Sequence, residues 1–125
     1  MRKEKILVVD DEENIRGSLH GILSDEGYAV ALAEDGETAL RMIRSESPDL
    51  VLLDIWIPGM DGIQTLEILK NMSSEIEVVI MSGHGAIDTA VKATKLGAFD
   101  FIEKPFSLES ILRVVSSALS SRRSR

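Results

Sequence analysis

A doubly wound α/β fold, with five parallel strands in the order 2-1-3-4-5 and five covering helices, is the architecture this sequence predicts. Short apolar runs rich in β-branched residues recur along the chain, three of them continuous rather than alternating, as strands buried on both faces should be. Between them lie stretches whose apolar residues repeat at helical spacing. Strand and helix signals that alternate in this way, within 125 residues, call for one parallel sheet with right-handed crossovers and helices on both faces.

The elements follow in order. Ile6 to Val9 is the first strand signal, and Ile15, Leu19, Ile22 and Leu23 mark a helix that Gly27 closes. Tyr28 to Ala33 reads as the second strand and Ala39, Leu40 and Ile43 as the second helix. Leu50 to Leu53 forms the third strand; Asp61 and Gly62 start a helix carrying Ile63, Leu66 and Leu69. Val78 to Met81 is the fourth strand, followed by a helix with Ile87, Ala90, Val91 and Thr94 that ends at Gly97. Phe99 to Ile102 is the last strand, and Ser107 is the expected N-cap of a helix with Ile111, Leu112, Val115 and Leu119. A single domain is expected over residues 1–119, with the basic stretch 120–125 as the start of a linker or disordered tail.

Composition narrows the functional classes. No apolar run approaches the roughly 18 residues of a membrane span, and the first apolar stretch is too short for a signal peptide, so a soluble cytoplasmic domain without membrane contact is expected. The absence of cysteine excludes disulfides, thiolate metal sites and cysteine nucleophiles. The formal charge is −7, but Arg2, Lys3, Arg122, Arg123 and Arg125 sit at the ends. Residues 4 to 121 carry nine basic against 21 acidic groups, a body charge of −12, which repels phosphate backbones and argues against direct nucleic acid binding.

In an open doubly wound sheet, ligands bind beyond the carboxyl ends of the strands, near the switch point between strands 1 and 3. Strand 1 runs into Asp10 and Asp11, strand 3 into Asp54, strand 4 into Ser82, and Lys104 follows strand 5, so these side chains should converge. Three neighbouring carboxylates raise one another's pKa unless a cation compensates. Mg2+ suits the set better than Ca2+, because it commonly takes one or two carboxylates, waters and a phosphate oxygen. A calcium loop through Asp10, Glu12 and Asn14 would lack its central glycine. A lysine and a hydroxyl beside a hard cation suit phosphoryl oxygens, and an ionised carboxylate such as Asp54 can be the nucleophile without a general base.

Four segments, ILVVDDEE, LVLLDIWIPGMDG, VVIMSGHG and FDFIEKPF, carry a resemblance to the receiver domains of two-component response regulators, over about Lys5 to Leu119. The resemblance implies the flavodoxin-like receiver fold and a phosphorylation-dependent switch rather than an enzyme, acting only on its own phosphoryl group. It implies that Asp54 is the phosphoacceptor, that Asp11, Asp54 and the Trp56 backbone carbonyl ligate Mg2+, and that Asp10 acts mostly through a metal-bound water. Ser82 and Lys104 would contact the phosphoryl group, and the Lys104–Pro105 bond would be cis. Phe101 stands at the family's switch aromatic, coupled to Ser82, and Trp56 and His84 lie where side chains tune loss of the phosphoryl group. The donor would be a cognate sensor histidine kinase, and a homodimer would form through the helix 4, strand 5, helix 5 face. SGHGAIDTAVKATKLGAFDFIEKPF is similar to the receivers of NtrC-type activators, which implies control of an attached transcription-activator module working with the nitrogen-type sigma factor.

Other functions fit less well. An aspartyl-phosphate phosphatase would want a second carboxylate two residues past its nucleophile, where this chain has Trp56. A flavodoxin-like cofactor binder would want a Ser/Thr-rich loop after strand 1, and no GxxxxGK phosphate loop exists. The complete acidic, hydroxyl and lysine set speaks against a receiver-like module that is never phosphorylated.

Overall fold

The computed structural model describes residues 3–56, 61–83 and 87–123. Strands β1 (Lys5–Val9), β2 (Ala29–Ala33), β3 (Leu50–Asp54), β4 (Glu77–Ser82) and β5 (Asp100–Glu103) alternate with helices α1 (Glu13–Asp25), α2 (Gly36–Glu46), α3 (Gly62–Met72), α4 (Ile87–Lys95) and α5 (Leu108–Arg123). The strands form one sheet in the order β2-β1-β3-β4-β5, and every pairing is parallel. This is the predicted order.

Successive side chains of a strand point to opposite faces, so each central strand feeds two cores. Leu7, Val9, Val51, Leu53, Val78 and Ile80 pack on one face with Ala39 and Ile43 of α2, Leu66 and Leu69 of α3, and Ala93 of α4. Ile6, Val8, Leu50, Leu52, Val79 and Met81 meet Leu19 and Leu23 of α1 and Ile111, Val115, Ala118 and Leu119 of α5 on the other. Each fully buried leucine or isoleucine stabilises the fold by about 1.5–3 kcal/mol. Continuous apolar runs mark the central strands β1, β3 and β4, while the edge strands β2 and β5 are partly exposed.

Local chemistry sets the helix limits. Asp61 accepts the Gln64 N–H at 2.8 Å while the Gln64 side chain accepts the Asp61 N–H at 3.2 Å, a reciprocal capping box that starts α3. The Ser107 hydroxyl accepts the Ser110 N–H at 3.0 Å at the start of α5. Gly27 and Gly97 adopt positive φ of 93° and 112° after α1 and α4, as expected of glycines that close helices.

The end of the chain differs from expectation. Residues 120–123 are not linker-like: α5 runs on to Arg123, where Arg122 Nη1 lies 3.1 Å from Asp49 Oδ1 and Arg123 pairs with Glu4. The basic composition that reads as a tail is the helix's last turn, where cations are favoured at the negative end of the macrodipole. Among the described residues no helix is long and apolar enough to cross a membrane.

Candidate functional site

The sheet delivers the acidic residues to one edge. Asp54 is the last residue of β3 and Ser82 the last of β4, each one residue further into the strand than the apolar pattern indicates. β1 ends at Val9, and Asp10 follows with its N–H donating to the Ala33 carbonyl at 3.1 Å. Carboxylate oxygens of Asp10, Asp11 and Asp54 all lie within 4.8 Å of one another, with Asp10 and Asp54 buried and Asp11 exposed. Like charges this close repel by roughly 3 kcal/mol or more per pair at an effective dielectric of about 20.

Lys104 is the only cation shown pairing with the cluster among the described residues. Its Nζ lies 2.8 Å from Asp10 Oδ2 and 3.1 Å from Asp54 Oδ2. Its backbone N–H donates to the Ser82 carbonyl at 2.7 Å, and the Lys104–Pro105 peptide bond is cis. Thus the residue after β5 is tied to the end of β4 while its ammonium reaches back to β1 and β3. Burial alone would lower the Lys104 pKa, but the Asp10 hydrogen bond and the charges of Asp54 and Asp10 outweigh it and hold the ammonium more firmly protonated.

Asp54 is held from both oxygens. Oδ2 meets Lys104, and Oδ1 accepts the Trp56 N–H at 3.1 Å. Burial lifts its pKa and the Asp10 charge lifts it further; Lys104 and the Trp56 N–H oppose the rise without cancelling it. One lysine against three carboxylates leaves the pocket short of positive charge. The donor set, oxygen-only, part buried and open on the Asp11 side, therefore fits a hard divalent cation that keeps waters.

The remaining predicted residues take distinct places. Ser82 is buried at 2% exposure on the strand next to Asp54. Trp56 is 65% exposed, so its ring lies over solvent while its backbone faces Asp54. Phe101 is 40% exposed on β5 rather than inserted in the core, as is Val91 of α4 at 50%. Pro105 lines a shallow apolar cleft with Ile15 and Phe106 beside Lys104. His84 lies outside the described residues.

Sequence reasoning missed the supports. The Glu12 N–H donates to Asp10 Oδ1 at 2.9 Å, and Arg16 Nη1 donates to the Asp10 carbonyl at 2.8 Å. Glu12 belongs to an acidic run that reads as surface charge; its contribution is a backbone donor, which residue type does not reveal. The spacing of Arg16, on the first turn of the helix that follows Asp10, was a usable signal.

The pattern of the response regulator receiver domain matches residues 6–116. This chain belongs to that family. The receiver is 48% identical over 122 residues to the nitrogen assimilation regulatory protein NtrX of Azorhizobium caulinodans, covering 96% of this chain and 27% of that protein. It is 42% identical over 119 residues to the sporulation initiation phosphotransferase F of Bacillus subtilis, covering 95% of this chain and 96% of the relative. The crystal structure of the receiver domain of NtrX from Brucella abortus superposes with a TM-score of 0.89 at 49% identity, covering 92% of this chain and 98% of that one. The chain thus spans about a quarter of the NtrX-type regulator it matches and nearly all of the sporulation phosphotransferase. The receiver is a regulatory module of two-component systems, similar to NtrX- and NtrC-type regulators.

Proposed function

We propose that the receiver is a phosphorylation-dependent switch that takes a phosphoryl group from a sensor histidine kinase onto Asp54, with Mg2+ held by Asp10, Asp11, Asp54 and the Trp56 carbonyl. The observation that carries this reading is the ammonium of Lys104 placed between two buried carboxylates of a three-carboxylate cluster. A purely structural ion pair would match charges; this pocket leaves negative charge uncompensated on the open side.

An Asp54 carboxylate oxygen attacks phosphorus as the P–N bond to the kinase imidazole breaks, and the bonding pair leaves with that nitrogen. Lys104 exchanges its pairing with Asp54 for one with a phosphoryl oxygen, since Asp54 loses charge on forming the acyl phosphate. The Ser82 hydroxyl donates to a second phosphoryl oxygen from the neighbouring strand end. Bound Mg2+ supplies the charge neutralisation that lets carboxylates and phosphoryl oxygens meet. Trp56, and His84 by its place two residues after Ser82 in the sequence, tune how fast water removes the group.

The readout is the face of α4, β5 and α5, where Phe101 and Val91 stand exposed. Movement of Ser82 toward the phosphoryl group frees space for Phe101 to turn inward, and the changed face, which is also the face of the proposed homodimer, alters its partners. Swinging such an equilibrium from mostly off to mostly on takes about 5.5 kcal/mol of differential stabilisation, drawn from the new contacts of Ser82 and Lys104. The output is an attached transcription-activator module in the cytoplasm.

Incubation with Mg2+ and acetyl phosphate, followed by intact-mass measurement, tests this. One labile phosphoryl adduct is expected on the wild type and none on Asp54→Asn. An adduct that survives Asp54→Asn, or a wild type that gains no mass, refutes it; rapid turnover of unrelated phosphomonoesters would instead mark an enzyme.

A further inference from the structure

We infer that Gly62 is a positioning residue for the acidic cluster: its missing side chain fixes where the backbone from Asp54 to Trp56 runs, and through it how tightly a divalent cation is held. The inference deepens the proposed function and rests on the reading that the cluster takes Mg2+. A Cβ on Gly62 would fall 2.5 Å from the Ile55 Cα, 2.6 Å from the Asp54 carbonyl oxygen and 2.9 Å from the Ile55 carbonyl oxygen. All three are backbone atoms, so no rotation of a side chain relieves the overlap. By contrast, Gly17, Gly21, Gly27 and Gly83 would meet nothing within 4 Å, and Gly97 would meet only the flexible Lys70 side chain.

The contact is bonded as well as close. The Gly62 N–H donates to the Ile55 carbonyl at 2.9 Å, and the Ile55 N–H donates to the Met81 carbonyl at 3.1 Å. The stretch after β3 is therefore clamped between α3 and β4. The next N–H, that of Trp56, is thereby aimed at Asp54 Oδ1. α3 cannot easily retreat, because its capping box fixes its first turn and Leu66 and Leu69 are fully buried.

Ordinary van der Waals contact begins near 3.4 Å, so alanine at 62 pushes the Ile55 Cα and the start of α3 apart by up to about 0.9 Å. Alanine is the better helix former, so any loss comes from the clash and not from helix propensity. Disturbing groups that orient metal ligands typically weakens affinity about 10- to 100-fold, and a loss of about tenfold or more in Mg2+ affinity is expected.

The full chain serves for the test. Mg2+ is titrated into wild type, Gly62→Ala and Leu69→Ala, read by the fluorescence of Trp56, the only tryptophan, and by backbone amide shifts of residues 54–56, with thermal midpoints taken in parallel. Leu69→Ala removes a buried side chain from the same helix, away from the Asp54 contact, and should bind Mg2+ within about twofold of wild type despite a lower midpoint. Gly62→Ala binding as tightly as wild type, or Leu69→Ala losing as much affinity as Gly62→Ala, overturns the inference. Should Gly62→Ala not fold, hydrogen exchange of the Gly62 amide in wild type decides: Mg2+ is expected to slow it about tenfold or more, and an unchanged rate overturns the inference. A wild type that does not respond to Mg2+ at all refutes the functional reading and this inference together, whereas normal binding by both wild type and Gly62→Ala refutes this inference alone.

Discussion

Replacing Lys104 with methionine keeps most of the aliphatic stem and removes the charge between Asp10 and Asp54. The Lys104 side chain is 19% exposed, that of Asp10 0% and that of Asp54 6%. At an effective dielectric of about 20, attraction across 2.8 and 3.1 Å is about 5–6 kcal/mol per pair, most of which offsets desolvation. Removing one partner of a buried pair costs about 3–5 kcal/mol; the partial exposure of Lys104 lowers the expected loss to about 2–4 kcal/mol in metal-free buffer at pH 7.5. At roughly 4 °C per kcal/mol for a domain of this size, the midpoint falls by about 8–16 °C. The Asp54 pKa is raised in the fold by burial and by Asp10, and loss of Lys104 raises it further. A carboxyl whose pKa rises on folding costs stability above its folded value; the cost shrinks as pH falls through that value and is gone below the unfolded one. The gap between wild type and Lys104→Met, measured by urea unfolding, should therefore narrow as pH falls toward the ordinary carboxyl value of 3.8, and Mg2+ should bind the variant more tightly than wild type. A gap under about 0.5 kcal/mol at pH 7.5, or one that does not change with pH, refutes the charge-compensation argument.

Further outcomes follow from other corners of the fold. Ser47 ends α2 with φ of 47°, so Ser47→Gly should raise stability by about 0.5–1 kcal/mol, seen as a higher urea midpoint with unchanged slope. Asp35 caps α2 by accepting the Thr38 N–H at 2.8 Å, and that bond holds its pKa below the ordinary value of 3.8. Asp35→Ala should cost about 1 kcal/mol at neutral pH, and the difference from wild type should vanish as pH falls through the lowered folded pKa. Arg122→Ala, which disturbs the buried Asp49, should cost about 1–2 kcal/mol, while Arg123→Ala, at an exposed pair with Glu4, should cost less; the reverse ranking in urea titrations would refute the assignment.

The fold was legible because its signals are one-dimensional. Continuous apolar runs such as Leu50 to Leu53 mark strands buried on both faces, and Gly27, Asp61, Gly97 and Ser107 mark helix limits by residue type alone. The convergence of Asp10, Asp11, Asp54 and Lys104 was legible for the same reason: strand order places strand ends, and strand ends carry these residues. What stayed hidden depends on backbone in space. Glu12 serves through its N–H, Gly62 through an absent atom, and Ser47 through a left-handed turn that its residue type does not favour. The helical state of residues 120–123 is not legible in the sequence, because a basic, serine-rich run has the same composition whether it is solvated coil or the last turn of a helix. Only the partners Asp49 and Glu4, more than seventy residues earlier in the chain, distinguish the two.

Buried charge at the two ends of the sheet separates architecture from chemistry. At the amino ends of the strands, Asp49 is buried, yet one oxygen accepts the Lys5 N–H at 2.8 Å and the other meets Arg122 at 3.1 Å. Its charge is answered within the fold, as a structural carboxylate requires. At the carboxyl ends, Asp10 and Asp54 are as deeply buried, but they share one ammonium and face a third carboxylate. The same sheet could have matched charges at both edges, since Arg122 shows that it has a cation within reach at one of them. Leaving the carboxyl edge short of positive charge costs stability, and under the proposed function that cost is recovered when a cation and a phosphoryl group bind. That imbalance, more than the presence of aspartates, is the physical content of the site.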